Sequence, residues 1–85
     1  MHGVTKTAEE RQALADRLML LRTDRGWTQT ELARRAKLRV ETVHKTEAAR
    51  SNPTIPTLTL LASALGVTVE ELRWVELATE GNNEA

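Results

Sequence analysis

Three times along this chain a threonine stands three residues ahead of a glutamate, where apolar residues take up helical spacing: Thr7/Glu10, Thr28/Glu31 and Thr68/Glu71. The first backbone N–H groups of any helix lack partners within it. A threonine hydroxyl accepts from one of them, and the glutamate carboxylate reaches back to the threonine N–H, so two orphans are satisfied together. Two of these starts add a hydrophobic staple between the residue before the cap and the fourth helical residue: Trp27 with Leu32, and Val67 with Leu72. Helix starts fixed this closely leave little chain for anything else.

The first helix is expected over about Ala8 to Asp24, with Leu14, Leu18 and Leu21 in one narrow stripe and Gly26 as its stop. A second follows Thr28 to about Ala36, and a third runs from about Val40 to Ala48. "SNPT" breaks the chain before Thr54 caps a fourth helix. Pro56 is harmless in its first turn, because the N–H it lacks would have had no partner. Leu58, Leu61, Ala62 and Leu65 form the inner face of that helix, and Gly66 ends it. A fifth begins after Thr68 and fades into "TEGNNEA". No strand signal is present, so the expected class is all-α, with five helices. The expected organisation is a flexible N-terminus over 1–7, one helical domain over 8–78 and a flexible acidic tail over 79–85.

A chain of 85 residues makes one small domain with a modest core. It holds no cysteine, which excludes disulfides and thiolate metal sites. His2 and His44 are too few and too far apart for a convincing metal site. No apolar run approaches the roughly 20 residues of a membrane span, and the polar, acidic start is no secretory signal. A soluble cytoplasmic protein is expected, without cofactor or small-molecule ligand. The sequence offers no serine–histidine–acid set and no glycine-rich phosphate loop, so an enzyme is not expected.

Formal net charge is zero, but the charge is sorted. Residues 34 to 50 hold six basic groups (Arg34, Arg35, Lys37, Arg39, Lys45, Arg50) against Glu41 and Glu47. Residues 51 to 85 hold Arg73 against five glutamates. A basic middle and an acidic end suit an anion-binding face, although a solvated helix surface has the same composition.

The second and third helices lie only three or four residues apart, the spacing of a helix-turn-helix. "WTQTELARRA", "VETVHKTE" and "NPTIPTLTLLASALGVTVEEL" resemble the Cro and phage-repressor (XRE) type of helix-turn-helix domain over roughly residues 14 to 75. The resemblance implies a lambda-repressor-like fold, with helix 3 in the major groove of double-stranded DNA and the starts of helices 2 and 3 near phosphates. A helical wheel turns Val43 and Glu47 one way, with Thr46 flanking them, and Glu41 and Lys45 the other. His44 and Val40 lie at the edge of that outer face. Arg39 can reach a guanine edge or a phosphate, Glu41 can accept from a cytosine amino group, and Val40 can meet a thymine methyl. The expected base readers are therefore Arg39, Val40, Glu41, His44 and Lys45.

Thr28, Gln29, Arg34, Arg35, Lys37 and Arg50 are the phosphate candidates, and for the last four simple solvation explains the charge equally well. By the resemblance, Gln29 also braces the recognition helix, and Arg22 and Glu47 form a buried ion pair. The resemblance also implies dimerisation through the last helix, the usual contact in that family. There "VEELRWVELA" is more apolar than one inner face requires, which points to Leu72, Trp74 and Val75 at a homodimer contact. Two functions fit: a repressor reading a palindromic operator, or an antitoxin or regulatory subunit that mainly binds a partner protein.

The turn "KLR" departs from the pattern. Relatives commonly place glycine where Lys37 stands, because their turn needs a positive φ, and a serine or threonine cap where Arg39 stands. Downstream, Thr46 replaces an aliphatic packing residue. Ala49 replaces a glycine, so helix 3 is expected to run on toward Arg50.

Overall fold

A computed structural model describes residues 7–73. They form α1 (Ala8–Asp24), α2 (Gln29–Ala36), α3 (Val40–Glu47), α4 (Ile55–Leu65) and α5 (Val69–Arg73), with no strand among them. The N-terminal segment expected over 1–7, apart from Thr7, the stretch after Arg73 expected to continue the fifth helix, and the expected acidic tail lie outside the described residues, as do Trp74 and Val75.

The caps act at the expected positions. Thr7, Thr28 and Thr68 each accept from the glutamate N–H three residues on, at 3.0 Å. Thr54 accepts from Thr57 N–H at 3.5 Å. At Thr68 the box closes both ways, with its N–H donating to Glu71 Oε1 at 2.8 Å. At Thr28 the carboxylate of Glu31 turns instead to Arg34 and Arg35 on its own helix.

One C-terminal device ends four helices. Gly26, Lys37, Ala49 and Gly66 are left-handed, with φ of 74°, 60°, 59° and 75°. Around each, two N–H groups return to the last turn. After α2, Leu38 N–H donates to Ala33 O at 2.9 Å and Lys37 N–H to Arg34 O at 3.2 Å. After α3, Arg50 N–H donates to Lys45 O at 2.9 Å and Ala49 N–H to Thr46 O at 3.1 Å. The third helix therefore stops at Glu47 and does not run on toward Arg50. Ala49 takes the conformation that relatives give to glycine, because the closure satisfies carbonyls that would otherwise lack partners and sends the chain toward Pro53.

Leu14 and Leu18 of α1, Leu32 of α2, Val43 of α3, Leu58, Leu61 and Leu65 of α4 and Leu72 of α5 build one core. Ala33, Ala36 and Ala62 fill it where helices approach closely. Leu21 and Trp27 pack on its edge. Leu72 is wholly buried in this core, so it offers no surface to the dimer contact expected of it. Its staple position beside Val67 draws it inward.

Candidate nucleic-acid interface

The pairing of α2 with α3 is set by small residues and a buried ion pair. Ala33 and Ala36 let the helices approach, and Val43 packs back from α3. At the far end of α3 the Glu47 side chain is 1% exposed. Arg22 of α1 grips it with two parallel bonds, Nε to Oε2 at 2.6 Å and Nη2 to Oε1 at 2.9 Å. The same guanidinium donates to Trp27 O at 2.7 Å. Gln29 Nε2 of α2 donates to Glu47 Oε1 at 3.0 Å. One carboxylate thus ties α1, α2 and α3 together. The bond from Glu47 raises the Arg22 pKa above its ordinary value, and burial opposes that only in part.

With Val43, Thr46 and Glu47 turned inward, the opposite side of α3 faces solvent. Arg39, Val40, Glu41, His44 and Lys45 are all exposed there, with Val40 38% exposed. Arg39 stands at the cap of α3 with extended backbone, and its side chain makes no capping bond. The N–H groups of Val40 and Glu41 are therefore open to a hydrogen-bond acceptor, while that of Thr42 donates to Arg39 O at 3.0 Å. Thr46 is buried without penalty: its hydroxyl donates to Thr42 O at 2.7 Å and lies 3.3 Å from Ser51 Oγ.

The phosphate candidates divide. Thr28 and Lys37 are exposed at the ends of α2, and Arg50 is exposed beyond α3. Gln29 is half-buried against Glu47, the bracing place expected of it. Arg34 and Arg35 are held on Glu31, at 2.5 and 2.6 Å. The bond from Arg34, aided by Arg35, lowers the Glu31 pKa below its ordinary value, and the same bond raises that of Arg34. The Arg35 guanidinium also lies 4.3 Å from the centre of the Trp27 ring.

Two features escaped the sequence reading. Arg25 donates to Leu21 O at 2.8 Å and Leu65 O at 2.6 Å, fastening α1 to the end of α4 across 40 positions. No local pattern announces such a bond. The pairing of Glu31 with Arg34 and Arg35 was open to being found, since arginines three and four residues after a glutamate face it on a helix. Among the described residues no helix is long and apolar enough to cross a membrane, and no group of acidic or histidine side chains could hold a metal ion.

This arrangement agrees with known proteins. The Helix-turn-helix family model HTH_3 matches residues 18–72. The HTH-type transcriptional regulator DdrOP3 of Deinococcus deserti is 39% identical over 59 residues, covering 69% of this chain and 46% of that protein. The chain therefore spans about half the length of that relative. The hypothetical transcription factor NHTF from Neisseria has a similar structure, with TM-score 0.77 and 28% identity over 94% of this chain and 95% of that one. The clp gene regulator ClgR from Corynebacterium glutamicum gives 0.72 and 26% over 88% and 83%. Five helices among the described residues, a closely packed α2–α3 pair and a family match over residues 18–72 lead to one assignment: this chain belongs to the XRE-type helix-turn-helix family.

Proposed function

We propose that this chain is a sequence-specific DNA-binding transcriptional regulator, a dimeric repressor that reads a palindromic operator with α3 in the major groove. The sidedness of α3 carries the reading. Its inner face is locked by Val43 and the Arg22–Glu47–Gln29 cluster, while Arg39, Val40, Glu41, His44 and Lys45 stand exposed together. A recognition helix requires that combination, because side chains reach base edges only from a rigidly held helix. Thr28, Lys37 and Arg50 surround this face as phosphate contacts that position it. Arg34 and Arg35 contribute positive field while remaining tied to Glu31.

Selection of bound sequences from a random duplex pool tests the reading. The expected result is a two-fold symmetric consensus, with Arg39→Ala and Lys45→Ala each weakening binding to it while helicity is kept. Parent-like binding by both variants would remove α3 as the reading surface.

A second reading, an antitoxin or regulatory subunit that mainly binds a partner protein, is favoured by Glu41 on the reading face and by the zero net charge. Salt separates the two. A DNA reader loses affinity with a log–log slope of about −0.9 per neutralised phosphate, whereas a protein-binding module shows a shallow dependence or no binding to duplex.

A further inference from the structure

Beyond the Ala49 turn, Arg50, Ser51 and Asn52 line an open cleft of about 510 Å³ together with Arg11 of α1. Arg11 is half-buried and Arg50 exposed, and no carboxylate lines the cleft. Five other arginines behave differently: Arg17, Arg22, Arg25, Arg34 and Arg35 all donate side-chain hydrogen bonds. Among the described residues, the guanidiniums of Arg11 and Arg50 make neither an ion pair nor a side-chain hydrogen bond.

Two guanidiniums lining one recess repel each other and have donors to spare. A phosphate offsets both charges and accepts from both planar forks. A recess lined by charge of one sign also concentrates that field. Moreover, Arg50 moves with the recognition helix, since its backbone N–H is bonded to Lys45 O of α3 at 2.9 Å.

The geometry points to a phosphate clamp made by Arg11 and Arg50, which holds a DNA backbone phosphate outside the α2–α3 pair. It rests on duplex DNA being the partner. Arg11 brings α1 into the footprint, and the left-handed Ala49 turn is what delivers Arg50 to the cleft. A phosphate held there fixes the register of α3 in the groove without reading a base.

The test uses the full chain and a mixed-sequence DNA duplex, with affinity measured across a salt series. Arg11→Gln is expected to keep parental helicity and to make the log–log slope shallower by about 0.9. Arg17→Gln, the same charge change elsewhere on α1, should leave the slope unchanged. Arg50→Gln should match Arg11→Gln, and the double variant should lose no more than one phosphate's share, because both side chains hold one phosphate. Should Arg11→Gln lose helicity, the exposed Arg50→Gln decides by the same slope. A parental slope in the folded variants overturns the clamp and leaves the role of α3 standing. A parent that binds no duplex overturns both. Nitrogen-15 NMR with inorganic phosphate alone supplies the remaining arm: shifts confined to residues 49–52, with an unchanged slope in Arg11→Gln, assign the cleft to a free anion and overturn the DNA assignment.

Discussion

Glu47 shows how much of this molecule depends on single side chains. Its carboxylate is buried, and it accepts from Arg22 and Gln29 on two other helices. Removing Arg22 leaves that charge stranded, so Arg22→Ala is expected to cost about 3–5 kcal/mol in urea unfolding. Replacing both partners with apolar residues of similar volume should recover much of the loss, because the desolvation penalty goes with the charge. The two left-handed non-glycine residues act in the opposite direction. Lys37 and Ala49 hold φ near 60° at a cost of about 1 kcal/mol each relative to glycine. Lys37→Gly and Ala49→Gly are thus each expected to raise stability by about that amount, less the extra freedom glycine gives the unfolded chain. Equal or lower unfolding midpoints would show that these turns carry no strain. If Lys37 is retained for an anion, Lys37→Gly should weaken DNA binding even as it stabilises the fold.

The helices show which parts of the structure can be read from sequence. Caps are local, so Thr7, Thr28, Thr54 and Thr68 located four helix starts. Apolar spacing gave the core face of α4 in full, since Leu58, Leu61, Ala62 and Leu65 are all buried. The end of α3 was not legible from its own residues: alanine is the strongest helix former, and only the glycine that relatives place at Ala49 hinted at a left-handed turn. Nor does spacing alone decide whether Glu31 completes its capping box or pairs with Arg34 and Arg35. The structure gives the carboxylate to the arginines, and this has a measurable consequence. Because the bond from Arg34 lowers the Glu31 pKa, the pairing stabilises the fold above the unfolded-state value, and that contribution is lost as pH falls through the folded one. Carboxyl NMR titration should place the Glu31 midpoint below the ordinary glutamate range, and Arg34→Ala should move it upward. A midpoint unmoved by Arg34→Ala would show that the pair does not persist in solution.

On the proposed reading each chain brings one recognition helix, α3, to the DNA, and one half-site gives a small domain limited affinity. A second copy related by a dyad would place two α3 helices about one DNA turn apart, roughly 34 Å. Leu72 cannot serve that contact, being sealed in the core by α1 and α4. Trp74 follows it by two positions and Val75 by three, so the helical rotation carries the tryptophan well round from the buried face if the helix continues. Met19 and Leu20 of α1, the helix that packs on α5, are 42% and 57% exposed and supply further apolar surface. Many interfaces concentrate their energy on a few aromatic anchors. Trp74→Ala is therefore expected to shift sedimentation toward monomer and to reduce affinity for a two-half-site duplex far more than for a single half-site. The contrast matters, because a general loss of folding would weaken both alike. A variant that sediments as the parent does would exclude Trp74 from the interface.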